Sequence, residues 1–391
     1  MGRIVQYVDE TASSMMIVYI YPAIATKGGV ERILVEKMNH LAQDKEYEVV
    51  LLTYDQGAHE VSFPLDERVR HIDLNVRTFT QYRYRGLRKL FEGWKLNRLL
   101  SQRLKRTLQE IMPNVLVATT NGKLSLLCRL KGNTPLVVES HGGYDHLIDY
   151  SVMNWLHRWD IWCRYRALKQ ADAIVCLSES DACKWRANYS QVQVIPNVVH
   201  LNPTGRMSSL EQKRIIFVGR LAEQKGIPEL IAMWRIVYLR HPDWQLHVYG
   251  DGEYKQMCQD VEGISVFPPI EDIFSKYLES SMLVLTSRWE PFGLVIPEAM
   301  SCGLPVVCFE GDGPCGIITD GRDGFIIRNR DTKAFADKVC QLIEDDTLRH
   351  RMGQMAQHAA QCYSPACIMP LWRNLFAHLM KLRGTCITTW D

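Results

Sequence analysis

The chain has 391 residues, 47% hydrophobic and 23% charged, with 25 Gly and 16 Pro, which excludes disorder, collagen-like repeats and low complexity. Lys plus Arg number 46 against 44 for Asp plus Glu, so global charge does not point to nucleic acid. At about 150 residues per domain the length predicts two or three units, each with its own core. The twelve cysteines, scattered from Cys128 to Cys386 without a C-x-x-C pair, read as reduced thiols of a cytosolic protein. The longest apolar run, Met15 to Ala25, spans about 11 residues against the roughly 20 needed to cross a bilayer. Gln6 breaks the myristoylation pattern after Met1-Gly2, and no signal-peptide architecture is present.

Residues 1–14 carry no periodicity and read as an unstructured leader. Apolar β-rich runs follow at Met16–Ile20, Tyr47–Leu52, Val115–Ala118, Leu136–Val138 and Ala173–Leu177. Such continuous runs are expected of a parallel sheet covered on both faces. Between the first two, Val30, Ile33, Leu34, Met38 and Leu41 mark one stripe of a helix. The series ends near Val194-Ile195-Pro196-Asn197, and the polar stretch 200–212 reads as a linker. A second β-α series begins at Arg214–Val218 and continues with strands at Gln245–Tyr249, Ser281–Leu285 and Leu304–Cys308. The expected architecture is α/β: two tandem Rossmann-like doubly wound domains, 15–199 and 213–364, facing across a cleft. Residues just after strands are then where chemistry belongs.

Four groups stand at such positions. In the segment 287–307 a strand ends, Glu290 follows in the loop, and Gly293-Leu294-Val295 opens a helix carrying Glu298. The unpaired amides of a helix start favour a diphosphate. Glu298 can accept from a ribose diol and Glu290 from sugar hydroxyls; the plainer alternative is a helix with acidic residues near its start. Arg220 and Lys225 follow the first strand of the second series and could neutralise a leaving diphosphate, or be solvated loop charges. Gly28-Gly29 joins the first strand to the first helix, where paired glycines permit φ > 0 and a close approach to phosphate, or form a simple turn. His141 follows another strand in Glu139-Ser140-His141-Gly142-Gly143, as a site residue or a structural one.

The sequence lacks a G-x-G-x-x-G fingerprint, a Walker loop, a G-x-S-x-G elbow, a metal-spaced Cys/His cluster and a D-x-D. Phosphate charge would fall to Arg, Lys and helix starts, with no metal and no cofactor. From Phe79 to Ile111 nine basic residues meet two glutamates, a net +7, interleaved with Tyr82, Tyr84, Leu87, Leu90, Phe91, Trp94, Leu96 and Leu99. Such a stretch can lie on an anionic leaflet, at about 1 kcal/mol per basic residue, or form a solvated helix face over ordinary core. Trp155, Trp159 and Trp162 lean toward the first. The expected location is cytoplasmic, or peripheral on the inner face of the plasma membrane through residues 79–111.

Taken together, Glu290-(seven residues)-Glu298, Gly219-Arg220-Leu221 with Lys225-Gly226, Gly28-Gly29 and His141 resemble the retaining glycosyltransferases of family 4, with the two-domain GT-B fold. The resemblance runs from Met15 onward and is strongest from Arg214 to Ile327. It implies that Arg220 and Lys225 hold the diphosphate, that Glu298 grips the ribose, and that Glu290 and His141 attend the transferred sugar. Amides of Gly29, Leu294 and Val295 would line the phosphates, with Gly28 and Gly293 shaping their turns. Ile270, beside Pro268-Pro269, would touch the base. Pro291 stands where the family often has Gly and removes one backbone donor. A last helix over residues 365–391 would cross back to the first domain. The implied activity is metal-independent, retaining transfer of a sugar, most simply from a UDP-sugar, to a carbohydrate acceptor such as a lipid-linked glycan of surface polysaccharide synthesis. A nucleotide-sugar epimerase on the same fold and a non-catalytic carbohydrate-binding protein are the alternatives.

Overall fold

Each apolar run becomes a buried strand in the computed structural model, which describes residues 14–146 and 155–387. The first 13 residues of the expected leader, the side chain of Trp155 and that of Cys386 lie outside the described residues. The first series gives β1 (Met15–Tyr21), β2 (Tyr47–Thr53), β3 (Arg70–Asp73), β4 (Val115–Thr119), β5 (Leu136–Glu139), β6 (Ala173–Cys176) and β7 (Val192–Val194). They form one sheet in the order β3-β2-β1-β4-β5-β6-β7. The second gives β8 (Arg214–Val218), β9 (Gln245–Tyr249), β10 (Ile264–Phe267), β11 (Met282–Leu285), β12 (Val306–Phe309) and β13 (Gly324–Ile327). These pair in parallel as β10-β9-β8-β11-β12-β13. Both are Rossmann-like parallel α/β sheets, as expected.

The helices are α1 (Gly29–Ala42), α2 (Gly86–Ile111), α3 (Leu124–Leu130), α4 (Trp155–Leu168), α5 (Glu179–Arg186), α6 (Ile227–Arg240), α7 (Lys255–Gln259), α8 (Ile273–Leu278), α9 (Val295–Ser301), α10 (Asp312–Ile317), α11 (Thr332–Glu344), α12 (Asp346–Ala360) and α13 (Pro365–Ile387). The predicted stripe of α1 is buried at Ile33, Leu34, Met38 and Leu41. It also buries Lys37, which pairs with Glu139 at the end of β5 and lies 5.6 Å from the Tyr19 ring centroid. Burial lowers the Lys37 pKa, and Glu139 opposes that shift.

The described residues divide into two compact units, one holding 14–139, 155–174 and 375–387, the other 140–146 and 175–374. His141, expected with the first domain, therefore belongs to the second unit. The polar stretch 200–212 also lies inside that unit, mostly exposed but anchored at buried Ser208 and Leu210. Ser208 donates to the Ser280 carbonyl at 2.6 Å, and Leu210, 1% exposed, accepts from Arg349 Nε at 3.1 Å. Polar composition marked irregular backbone there, but its hydrogen bonds are made within the unit.

Candidate active site

In the second unit the strand order reverses between β8 and β11, the place where doubly wound sheets open a crevice beyond their carboxyl ends. The loop after β8 carries Arg220 and Lys225, and the loop after β11 carries Glu290. Lys225 Nζ is paired with Glu290 Oε2, and both side chains are mostly buried. Ser287 Oγ donates to the same oxygen at 3.2 Å. Arg220 is exposed and bonds Gln224 Oε1 at 3.1 Å, while Gln224 Nε2 reaches the Trp289 carbonyl at 3.3 Å. Two loops that sequence places 65 residues apart are thus joined through charged and amide groups.

Backbone geometry holds them in place. Gly226 has φ +64°, and a Cβ there would collide with the Thr286 carbonyl oxygen, so only glycine lets the end of β11 approach the start of α6. Thr286 Oγ1 donates to the Lys225 carbonyl at 3.0 Å. Glu229, in the first turn of α6, accepts from Arg288 Nε at 3.0 Å and Arg330 Nη2 at 3.1 Å. Burial opposes ionisation of Glu229, but its own amide and the two guanidinium groups outweigh it and hold the pKa below the usual value.

Gly293, at φ +88°, turns the chain into α9. The amide of Ile296 bonds the Gly293 carbonyl at 2.9 Å, so those of Leu294 and Val295 stand ahead of the helical ladder. With only seven residues α9 has a small dipole, and those local amides matter more than the helix as a whole. Glu298 is 2% exposed, its Oε2 3.5 Å from the Tyr277 hydroxyl. Ile270 is exposed in the loop after β10.

A cavity of about 290 Å³ continues from Glu290, walled by Pro291, Trp289, His146, Lys184 and Asp312. Sequence reasoning missed the last four. Lys184 on α5 bridges Asp145 at 2.5 Å and Asp312 at 2.8 Å, and Ser180 Oγ donates to Asp312 at 2.6 Å. Burial opposes both charges, yet the pairing keeps the Asp312 pKa low and raises that of Lys184. The Trp289 and His146 ring centroids are 5.1 Å apart. His141 is half-buried at the head of the segment that supplies this wall. Asp181 anchors that segment, accepting from the Tyr144 amide at 2.7 Å and from Trp185 Nε1 at 3.1 Å. Trp289 lay inside the quoted motif; α5, a short helix (Glu179–Arg186) of mixed charge around buried Ala182 and Trp185, gave no signal. An aromatic wall beside hydrogen-bonding carboxylates suits a sugar ring, with its apolar face and hydroxyl rim.

Gly28 and Gly29 lie in the first unit, after β1. Neither uses the left-handed backbone expected of them: Gly28 caps α1 at φ −92°, and Gly29 is the first helical residue. Beside Gly28 sits the carboxylate of Glu31, bonded by Tyr21 Oη at 3.1 Å and Thr26 Oγ1 at 3.2 Å.

Residues 27–202 match the family model described as Glycosyltransferase Family 4, and residues 206–359 that described as Glycosyl transferases group 1. The amylovoran biosynthesis glycosyltransferase AmsD of Erwinia amylovora is 25% identical over 370 residues, 90% of this chain and 97% of that protein. Among solved structures, the sucrose-phosphate synthase of Thermosynechococcus elongatus superposes with a TM-score of 0.73 at 18% identity, covering 93% of this chain and 100% of that one. Anabaena HepE, solved with UDP and glucose, gives 0.66 at 17% identity, covering 96% and 100%. With matches spanning both series of strands and a full-length relative of the same class, the chain is a glycosyltransferase of the GT-B fold.

Proposed function

We propose that the enzyme transfers a sugar, with retention and without a metal, from a UDP-sugar to a carbohydrate acceptor carried on a lipid, in the building of a surface polysaccharide. The observation that carries the reading is the Lys225–Glu290 pair at the β8/β11 reversal, with Arg220 beside it and the free-standing amides of Leu294 and Val295 at the start of α9. A diphosphate entering this crevice offers Lys225 a second anion. Lys225 turns from Glu290 to phosphate, and Glu290 becomes free to accept from hydroxyls of the sugar.

In the transfer, the bond from the anomeric carbon to the β-phosphate oxygen breaks, and its electron pair stays on that oxygen. Arg220 and Lys225 meet the charge that grows there. The acceptor hydroxyl oxygen bonds to the same face of the anomeric carbon, and its proton passes to the leaving phosphate. Buried Glu298 grips the ribose, Ile270 touches the base, and His141 stands by the sugar. HepE with UDP and glucose supports the donor class, and AmsD supports polysaccharide synthesis. No group of three His, Cys, Asp or Glu side chains placed to hold a metal ion is found among the described residues.

The test is calorimetry with UDP, GDP and ADP in EDTA on the wild type, Glu298→Ala, Glu298→Gln and Arg220→Ala. UDP alone binds the wild type tightly. Both Glu298 variants weaken it by about 1.5–3 kcal/mol, tenfold or more. Arg220→Ala lowers turnover far more than affinity, because its partner charge grows in the transition state. Absence of nucleotide binding, or unchanged affinity in both Glu298 variants, would sink the donor site.

A further inference from the structure

Beyond the transfer reaction, the first unit carries an apolar face with no core to cover. Helix α2 changes character along its length. In its second half Leu100, Leu104, Leu108 and Ile111 are buried. In its first half Leu87, Leu90, Phe91 and Trp94, spaced i, i+3, i+4 and i+7, form a stripe that is 84%, 59%, 55% and 57% exposed. A helical apolar stripe normally marks the side turned to a core, and here it faces out. The preceding turn adds exposed Phe79 and Tyr82. On α4, Trp159 and Trp162 are exposed and stacked with centroids 5.0 Å apart.

Cations stand against these rings. Arg88 lies 4.4 Å from the Tyr84 centroid, Lys89 4.6 Å from Tyr82, Lys95 4.9 Å from Phe91, Arg98 5.6 Å from Trp94 and Arg166 5.5 Å from Trp162. Trp94 and Arg98 also line a groove of about 740 Å³ between α2, α3 and α4, to which Lys123, Arg129 and Arg164 contribute. Asp160 is the one carboxylate among its lining residues, 3.1 Å from Arg164. No helix among the described residues is long and apolar enough to cross a membrane.

We propose that this face of the first unit docks on the surface of an anionic bilayer, the α2 stripe and the α4 tryptophans entering the acyl boundary and the Arg98–Lys123–Arg129–Arg164 groove seating a phospholipid headgroup phosphate. Charge decides the occupant. A second copy would bring the same net-positive stretch against itself, whereas a leaflet supplies apolar depth and negative charge in one surface. Aromatic residues with cations above their rings match the layered polarity of the headgroup region.

Flotation with the full chain tests this, using phosphatidylcholine vesicles with and without about one-third phosphatidylglycerol. The protein floats with the anionic vesicles, is released by salt, and its tryptophan fluorescence is quenched by brominated acyl chains. Phe91→Ser with Trp94→Ser abolishes most of the quenching. Arg98→Gln, Arg129→Gln and Arg164→Gln each cost about fivefold in partition, corresponding to about 1 kcal/mol per basic residue. UDP affinity, read by calorimetry on every variant, stays at the wild-type value, so loss of docking and loss of the donor site are told apart. Equal flotation on neutral vesicles, indifference to the three arginines, or a dimer on size exclusion that the Phe91/Trp94 variant dissolves would each overturn the proposal.

Discussion

The turns after β1 and β8 hold the same place in their sheets, each following the strand beside the reversal of strand order, and each combines glycine with lysine. Their chemistry differs. After β8, Gly226 takes a left-handed conformation that brings Lys225 beside Glu290, with Arg220 exposed next to it. After β1, Gly28 and Gly29 have ordinary negative φ, and the Glu31 carboxylate lies against Gly28. A glycine turn at a strand end is therefore not in itself a phosphate cradle. The first helical turn does not decide it, since α6 carries Glu229 there as α1 carries Glu31; what differs is the cation, Lys225, that the turn after β8 holds beside Glu290.

The largest effect that can break this contrast is on turnover. Lys225→Met lowers it by about two to three orders of magnitude, ~3–4 kcal/mol of transition-state stabilisation. Lys27→Met, the corresponding change after β1, costs less than about threefold, under ~0.7 kcal/mol. Steady-state kinetics on both settle the matter, and equal losses would erase the distinction. Next comes backbone strain. Gly226→Ala costs about 2–4 kcal/mol, because φ is left-handed and the added Cβ meets a carbonyl oxygen. Gly28→Ala costs under about 1 kcal/mol, since φ −92° suits alanine and only the flexible end of Glu31 must move. Denaturant midpoints at constant slope separate them.

Much of this arrangement could be read from the chain before its fold was seen, and the reasons differ by region. Central strands such as β4 and β11 are buried along their whole length, so their apolar runs are unbroken. Edge strands β3 and β10 are half-exposed; β3, Arg70-His71-Ile72-Asp73, has the composition of a loop, and β10, Ile264–Phe267, is only four residues long with a serine breaking its apolar run. Arg220, Lys225, Glu290 and Glu298 were legible because helix starts and strand ends impose fixed spacings on them. The Lys225–Glu290 and Lys184–Asp312 pairs were not, because they depend on which strands are neighbours and on where α5 packs. Glu31 was passed over for the same reason: one carboxylate in a first turn is commonplace until its neighbours are known.

A third effect is read by acid. His247 on β9 is 7% exposed, with the Phe267 ring 5.0 Å away. Burial first, and then the charge of Arg214, lower its pKa to about 4. Its unfolded value is about 6.5, so the unfolded chain takes up a proton that the folded one refuses. Stability is intact above about pH 6.5, falls as pH drops toward 4, and is lower by about 2 kcal/mol at pH 5. His247→Gln flattens that slope between pH 7 and 5 in guanidinium titrations. In the first unit, burial also lowers the pKa of His71 but Asp73 opposes it, so His71→Gln flattens the slope less. A larger effect from His71 would assign the acid-sensitive region to the first unit.

The smallest effect bears most directly on the turn after β1. Glu31 already supplies the negative charge that the start of α1 favours, and Tyr21 and Thr26 hold it there. Burial and the Glu31 charge together push the Tyr21 pKa well above its ordinary value, so that hydroxyl remains a donor across the working range. A diphosphate lined by the Gly29 amide would have to share the site with this carboxylate. Glu31→Gln keeps both hydrogen bonds and removes the charge. If the donor uses that amide, UDP binds Glu31→Gln more tightly by about 0.3–1 kcal/mol, twofold to fivefold at low salt. Unchanged affinity by calorimetry would remove Gly28 and Gly29 from the donor site, leaving the turn after β8 as the cationic cradle for the diphosphate.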